Sequence, residues 1–360
     1  MPVLQVILIL ALLIFVHELG HFMAARLQGI YANRFSIGFG PVVWKYQGPQ
    51  TEYALRALPL GGFVGFPDDD PDSDIPRNDP NLLRNRPVFD RVIVISAGVI
   101  ANLVFAYLVL LTQVGLVGVP SGLSYKPGVI VPEVVRESVA EKAGIKSGDT
   151  ILAIDGQDLP AAEGTRANLQ KAIAASPEKA VKLRIDRAGE ILEIPVTPKL
   201  EQVNGQPIGR IGVNLQSNGD PVFEKPKDVG QLLTVAAQQF EIITIRTVQG
   251  FGKLITDFGT TVKQVGGPVA IVSEGAKIAK SDPSNLFTFA ALISINLAVI
   301  NILPLPALDG GQLLFLMFEA LLGKPLPQKL QDGVMQTGLV MMLGLGVFLI
   351  IRDTANLLPR

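Results

Sequence analysis

The two histidines of this 360-residue chain lie four residues apart, in the pentapeptide His17-Glu18-Leu19-Gly20-His21. In an α-helix, residues at positions i and i+4 lie on the same face, about 6 Å apart along the axis. Two imidazole nitrogens at that spacing can bind one Zn²⁺ ion, and the intervening glutamate then lies beside the metal as a general base. The pentapeptide therefore predicts a hydrolytic zinc site. The alternative is that these residues only mark the polar end of an apolar helix.

A catalytic zinc site usually has three protein ligands and one water molecule, so a third ligand is needed. The chain has no cysteine and no further histidine, which leaves a carboxylate. Asp309 is the best candidate, because it follows an apolar run and two prolines, Pro304 and Pro306, that cannot continue a helix. Non-helical backbone at membrane depth occurs only where it is buried in protein or lines a cavity. A simple kink followed by a solvated aspartate is the alternative.

These residues lie in or beside long apolar runs. Charged residues make up 18% of the chain, against about 25% in soluble domains. Four runs are long enough to cross a hydrocarbon core about 30 Å thick, and the predicted spans are residues 2–26, 92–116, 286–304 and 333–351. Buried helices of a soluble core are the alternative, as is a signal peptide for the first run. The formal net charge of −1 gives no basic field for nucleic acid.

Basic residues near the span ends predict the orientation of the chain, because cytoplasmic loops carry an excess of lysine and arginine. None precedes the first apolar run, whereas Arg26, Arg34 and Lys45 follow that run, and Arg84, Arg86 and Arg91 lead into the second span. Residues 27–91 are therefore predicted to be cytoplasmic and residues 120–285 to lie outside. The histidine pair is then nearer the cytoplasmic face. The acidic run at 68–74 is predicted to be a solvated loop.

The outer segment has a soluble pattern. Clusters of β-branched residues predict strands at 129–135, 151–154, 181–185 and 191–196. Ser138 is predicted to cap a short helix, and Asp155-Gly156 is typical of a hairpin turn. The run from Ala143 to Gly156 resembles a PDZ domain, a fold that binds extended peptides at a sheet edge. Peptide binding and a steric role both remain open for this domain.

Helical periodicity from Pro226 to Gly267 predicts an amphipathic helix after this domain. The helix is expected either on the outer membrane surface or packed against the spans, with a soluble linker helix as the alternative. The predicted domains are 1–118 (N-terminal half of the membrane core), 119–218 (PDZ-like extramembrane domain), 219–284 (amphipathic linker region) and 285–360 (C-terminal half of the membrane core).

The order of these features resembles the site-2 protease family of intramembrane zinc metalloproteases, and most resembles bacterial and plastid members with one PDZ domain. The shared features are HELGH on the first span, N-x-x-P-x-P-x-L-D-G from Asn301 to Gly310, and a PDZ-like insert between spans two and three. The resemblance implies that His17, His21 and Asp309 bind one Zn²⁺ per chain. It also implies that Glu18 is the catalytic acid and base.

The resemblance implies substrate-binding residues as well. Gly98-x-x-x-Asn102 looks like the family's packing and substrate-facing motif, and residues 52–66 look like its membrane-reentrant β-hairpin, which pairs with the unwound substrate. The candidates for substrate binding are Asn301, Pro304, Asn102, Gly62 and Gly65. The expected fold is a predominantly α-helical polytopic membrane protein with about four transmembrane helices, a reentrant β-hairpin and an α/β PDZ-like insert.

The function implied by the resemblance is zinc-dependent hydrolysis of a peptide bond within or near the transmembrane helix of a single-pass membrane protein. Glu18 would activate the attacking water. The substrate would already be cleaved on its outer side, and regulated intramembrane proteolysis would release a cytoplasmic fragment, for example of an anti-sigma factor. The expected location is a bacterial plasma membrane or a plastid membrane.

A metal transporter and a non-catalytic PDZ adaptor are the alternative functions. Transporters usually contain internal repeats with a broken helix in each half, and this sequence contains no detectable repeat. An adaptor has no need to keep Glu18.

Overall fold

The computed structural model describes residues 1–70, 73–203, 206–257 and 266–357. The chain divides into two compact units: a membrane unit, Met1–Gly118 with Lys225–Arg360, and a sheet unit, Val119–Glu224. The helices are α1 (Pro2–Leu27), α2 (Val88–Leu116), α3 (Val139–Lys142), α4 (Thr165–Ala174), α5 (Val229–Thr256), α6 (Pro268–Ser281), α7 (Asn285–Ile302), α8 (Asp309–Leu322) and α9 (Gln328–Leu357). The strands are β1 (Arg34–Gln47), β2 (Glu52–Gly65), β3 (Val119–Val134), β4 (Thr150–Ile154), β5 (Gln157–Asp158), β6 (Val181–Arg187), β7 (Glu190–Val196), β8 (Lys199–Val203), β9 (Gln206–Arg210) and β10 (Val213–Glu224).

Four helices in the described ranges are long and apolar enough to cross a membrane, namely α1, α2, α7 and α9. Each of the four predicted spans corresponds to one of these helices, although the bounds differ by a few residues. The second of these helices, α2, begins at Val88, before the predicted start at residue 92. Asp90 can lie in its first turn because a negative charge is favourable at the positive end of a helix. Large apolar side chains such as Val340 and Phe348 remain exposed along α9. Such surfaces are expected of helices that face lipid, not of buried helices in a soluble core.

Helix α2 contacts each of the other helices that surround the histidine motif. It packs against α1, α5, α7 and α8. Its Ala106 and Leu110 form a fully buried apolar cluster with Ala291 and Ile295 of α7. Small side chains at such contacts let helix backbones approach closely, which favours association within a membrane. This central position makes α2 the element against which the motif-bearing helices α1 and α8 are placed.

Strands β1 and β2 each bend and pair along two segments, which gives a small sheet of four extended segments. Residues 34–37 pair with both 52–55 and 62–65, and residues 42–47 pair with 52–56 in a hairpin. The segment order is therefore 42–47, 52–56, 34–37 and 62–65. Within the described part of the chain, segment 62–65 has a strand partner on one side only. This sheet edge, residues 62–65, lies beside α1.

The sheet unit contains the predicted strands within a larger sheet of order β10-β3-β4-β6-β7, with β5 paired to β4. Its apolar core includes Val131, Ile151 and Leu169, all fully buried. Ser138 caps α3 by accepting a hydrogen bond from the backbone N–H of Glu141 at 3.2 Å, as predicted. Asp155 and Gly156 both have positive φ, 48° and 80°, which suits the predicted hairpin turn.

The helix predicted from Pro226 to Gly267 corresponds to α5, and the predicted residues 258–265 lie outside the described ranges. Helix α5 begins after Asp228, whose side chain accepts a hydrogen bond from the N–H of Gln231 at 2.7 Å. It ends at Thr256, and α6 begins at Pro268, where the fixed proline φ suits a first helical turn. Helix α5 packs on α2 and α7, through contacts such as Tyr107 with Phe240. Of the predicted alternatives, packing against the spans is the one observed.

Candidate metal centre

The two histidines point to one place on the face of α1. Their Nε2 atoms are 3.2 Å apart, and both side chains are mostly buried. Helical geometry brings residues four apart onto one face, which explains why both rings reach the same point. Glu18 lies between them in sequence and lines the same cavity, which has a volume of about 750 Å³.

Asp309 reaches the histidines from the far end of the sequence. It is the first residue of α8 and follows an unwound segment, residues 303–308, in which Ala307 has a φ of 68°. The prolines of this segment end α7, and the close turn is possible because Gly310 has no side chain. A Cβ atom there would overlap the carbonyl oxygens of Ile302 and Leu303. The turn places the Asp309 Oδ2 atom 3.3 Å from His17 Nε2 and 3.4 Å from His21 Nε2.

These three ligand atoms fit a zinc ion. Tetrahedral ligands at about 2.0–2.1 Å from a zinc ion lie about 3.3–3.4 Å from one another. The separations of the two Nε2 atoms and Asp309 Oδ2, at 3.2, 3.3 and 3.4 Å, agree with that spacing. Buried Asp309 Oδ2 accepts no hydrogen bond from any residue in the described ranges. Two histidine nitrogens and one carboxylate oxygen are also the donor set of a catalytic zinc site.

Helix α2 supplies the surroundings of both rings. The Nδ1 atom of His21 lies 2.8 Å from the carbonyl oxygen of Val94, and the Nδ1 atom of His17 lies 3.3 Å from the Asn102 amide. Between these contacts, Gly98 faces the rings directly. A Cβ atom on Gly98 would overlap the ring of His21 and lie 2.7 Å from Cε1 of His17. Glycine is therefore required here by close approach of the rings and not by backbone conformation.

The family profile described as Peptidase family M50 matches residues 5–345. The chain belongs to peptidase family M50. The match spans both motifs and confirms the family predicted from them, the site-2 proteases. It also confirms the prediction that the chain is a protease.

Three relatives illustrate how far this similarity extends. The first is named "Putative zinc metalloprotease all3971", from Nostoc sp. (strain PCC 7120), and is 56% identical over 99% of this chain and 97% of its own length. "Membrane metalloprotease ARASP, chloroplastic", from Arabidopsis thaliana, is 45% identical over 99% of this chain and 79% of its own length. "Putative zinc metalloprotease CPE1693", from Clostridium perfringens, is 33% identical over 98% of both chains. Two of these three names, those from Nostoc sp. and Clostridium perfringens, contain zinc, which agrees with the predicted cofactor.

The substrate-binding candidates of this M50 chain fall into two groups. Asn301 and Gly62 line the cavity, and Asn301 Nδ2 lies 3.3 Å from Nε2 of His17. Pro304 is in the unwound segment before Asp309 but does not line the cavity, and neither does Gly65, at the end of β2. Asn102 borders the cavity but has 0% of its surface exposed.

The structure adds site residues that the sequence did not indicate. Arg91 of α2 forms a two-pronged ion pair with Glu319 of α8, one arm of which measures 3.0 Å. This pair ties the helix that carries Asp309 to the central helix. Asp68 accepts hydrogen bonds from the Leu83 N–H and from Arg84, so the prediction of a solvated acidic loop is wrong at this residue. Both Asp68 and Arg91 line the cavity, which therefore has a charged margin.

Proposed function

We propose that this M50 protease is a zinc-dependent intramembrane endopeptidase that cuts single-pass membrane proteins within or near their transmembrane helix. The observation that carries the proposal is the convergence of His17, His21 and Asp309, with all ligand atoms within 4.8 Å of one another, beside Glu18 in one cavity. Four of the helices that line this cavity, α1, α2, α7 and α9, are long and apolar enough to cross a membrane. The arrangement therefore supports peptide hydrolysis below the lipid surface.

The chain's own residues divide the chemistry between them. A zinc ion held by His17, His21 and Asp309 would lower the pKa of a bound water molecule and would polarise the carbonyl group of the substrate. The Glu18 carboxylate takes the proton from the attacking water and returns it to the nitrogen of the leaving amine. The Asn301 amide, 3.3 Å from His17 Nε2, donates a hydrogen bond to the substrate oxygen on which negative charge develops.

The sheet edge at residues 62–65 supports a mode of substrate binding. A substrate helix hides its own carbonyl groups in internal hydrogen bonds, so it must unwind before attack. An extended segment can then add as a strand to an unpaired sheet edge. A Cβ atom on Gly62 would lie 2.9 Å from Cγ of Glu18, so this edge passes directly alongside the catalytic carboxylate. We assign the edge to the reentrant hairpin of the family, with exposed Trp44 and Val43 of β1 facing lipid.

The sheet unit is assigned as a PDZ-like domain that lies outside, with the metal centre nearer the cytoplasmic face. The basic residues between the first two spans support this orientation. A folded domain of this size on the outer side would exclude substrates with a bulky outer domain. The substrate is therefore expected to be cleaved first on its outer side, in a bacterial plasma membrane or a plastid membrane.

The test compares the wild-type chain with Glu18→Gln in detergent, using a model single-pass substrate. The variant keeps all three metal ligands and loses only the proton acceptor, so zinc content is expected to stay at one per chain while cleavage is lost. Glu241→Gln on α5 is the matched control, because Glu241 is exposed and is not among the residues that line the cavity. Cleavage by Glu18→Gln at the wild-type rate would contradict the assignment.

A further inference from the structure

Helix α2 presents three residues to the histidine pair at intervals of one helical turn. Val94, Gly98 and Asn102 are four residues apart and therefore lie on one face of the helix. Gly98 provides the space in which the two rings sit. The residues on either side of it contact the ring nitrogens that face away from Asp309.

The contact at His21 defines the proton position on that ring. A carbonyl oxygen can only accept a hydrogen bond, so the Nδ1 atom of His21, 2.8 Å from the Val94 oxygen, carries the proton. The neutral ring then has a free lone pair on Nε2, the atom nearest Asp309. Metal-binding histidines almost always have such a partner for their second nitrogen.

The Nδ1 atom of His17 is contacted by the side-chain amide of Asn102. The positions of the nitrogen and the oxygen in such an amide are assigned from its hydrogen bonds, so the amide can be turned to exchange the two atoms. With Nδ2 of Asn102 facing Nδ1 of His17 at 3.3 Å, the ring has to present a lone pair there, which leaves the proton on Nε2. That tautomer cannot bind a metal through Nε2. In the same orientation, the buried Oδ1 atom of Asn102 has no hydrogen-bond partner among the described residues.

We propose that Asn102 is a positioning residue for the metal, which accepts a hydrogen bond through Oδ1 from Nδ1–H of His17. This orientation of the amide fixes the tautomer in which Nε2 of His17 is free to bind the ion. Asn102 has no exposed surface with which to contact a substrate, in contrast to the role predicted from the motif. Its backbone carbonyl also accepts a hydrogen bond from Ser294 of α7 at 2.8 Å, which holds the residue in place.

This inference rests on the proposed function, because it requires the zinc site to exist. The test measures the zinc dissociation constant of the purified full-length chain by competition with a chelator, for wild type, Asn102→Leu and Asn102→Asp. Loss of the hydrogen-bond partner of a metal-binding histidine typically costs about 10- to 100-fold in metal affinity, and this loss is expected for Asn102→Leu. Asn102→Asp keeps an acceptor oxygen and is expected to stay within about threefold of wild type. Thr112→Val, an exposed position on the same helix, is the control and is expected to bind zinc normally.

The outcomes separate this inference from the proposed function. If Asn102→Leu binds zinc as tightly as wild type and has a raised KM for the substrate, the inference is wrong and Asn102 contacts the substrate. Equal loss of affinity in Asn102→Leu and Asn102→Asp would also overturn it, because shape and not the acceptor would then matter. Absence of zinc binding in the wild-type chain would instead contradict the proposed function itself. Asn102→Ala replaces the leucine variant if melting of the metal-free protein shows that Asn102→Leu does not fold.

Discussion

Two buried aspartates, one in each unit, differ in how their oxygens are satisfied. In the sheet unit, Asp149 is 1% exposed and accepts two hydrogen bonds from Arg187, each at 2.8 Å, and one from the N–H of Lys146. In the membrane unit, Oδ2 of Asp309 is buried and accepts none from the described residues. Buried polar atoms are nearly always paired, so a buried carboxylate oxygen with no hydrogen-bond donor, beside two imidazoles, supports the proposed role of Asp309 as a metal ligand. The first aspartate stabilises the fold, whereas the second is proposed to bind the metal ion.

The same contrast extends to packing. The core of the sheet unit is formed by apolar side chains such as Val131 and Leu183, and its buried charge has a protein partner. Around Asp309 the close approaches are made by glycine, at Gly98 and Gly310, against ring atoms and carbonyl groups. These two glycines leave room for the histidine rings and for the turn before Asp309. Substitutions in the two units should therefore change different measured properties.

The largest effect is expected for Gly98→Ala. A methyl group at this position overlaps the ring of His21 and crowds that of His17, so both nitrogen ligands are displaced at once. We expect the loss of measurable zinc binding and of proteolysis. Gly115→Ala on the same helix is the matched control, because its Cβ would meet nothing closer than a Leu232 methyl at 3.8 Å. One zinc per chain in Gly98→Ala would show that the rings do not pack as described.

Asp309→Asn is expected to have the next largest effect. The substitution keeps the shape of the side chain but removes the charged ligand. Losing a direct ligand should weaken zinc binding on the order of 100-fold or more, which exceeds the usual cost of losing a residue that only hydrogen-bonds to a ligand. Chelator competition measures this loss, and circular dichroism of the metal-free protein should be unchanged. A zinc affinity equal to that of wild type would remove Asp309 from the ligand set.

Asp149→Asn is the counterpart in the sheet unit. The amide cannot accept the charged hydrogen bonds from Arg187 as the carboxylate does, so we expect the free energy of unfolding of this unit to fall by about 1–3 kcal/mol. Hydrogen exchange of the β4 and β6 amides in the full-length chain would report the loss. Zinc affinity should not change. A parallel loss of zinc affinity would show that the two units are not independent.

The smallest effect is expected in the pH dependence of the stability of the sheet unit. Burial alone would raise the pKa of Asp149, but hydrogen bonds from Arg187 and the N–H of Lys146 outweigh burial and hold the pKa below its ordinary value of 3.8. The resulting stabilisation is complete above that value and is lost as the pH falls through the lower pKa of the folded state. The protection factors of the β4 and β6 amides, which correct for the intrinsic slowing of exchange in acid, should therefore fall more in wild type than in Asp149→Asn as the pH drops below about 4. An equal fall of the protection factors in both proteins would assign the acid sensitivity to other groups.

Much of the fold was accessible from the sequence, because the decisive signals are local. Long runs without charge predicted the four spans, and the Ser138 cap and the Asp155-Gly156 turn depend on neighbouring residues only. The pairing of β10 with β3 was not predicted, since it joins residues about 90 positions apart that carry no shared pattern. The acidic loop was misjudged for the same reason, because the partner of Asp68 is Arg84 and its contact depends on tertiary structure.

The candidate site follows a similar division. Two histidines and no cysteine leave few possible ligands, so composition and spacing led directly to His17, His21 and Asp309, which the structure brings together. Their supports could not be predicted. The Val94 contact uses a backbone carbonyl that every residue has, and the need for Gly98 depends on how closely α1 and α2 approach. Asn102 was placed in the right motif, but its burial could be learned only from the packed helices.

Zinc K-edge X-ray absorption on the purified wild-type chain is the direct test of the proposed metal centre. We expect one zinc per chain, bound by two imidazole nitrogens and one carboxylate at about 2.0–2.2 Å, with the fourth position open to water. Spectra from His21→Ala should show the loss of one imidazole. A chain that purifies without zinc, or a spectrum without imidazole scattering, would rule out this metal centre.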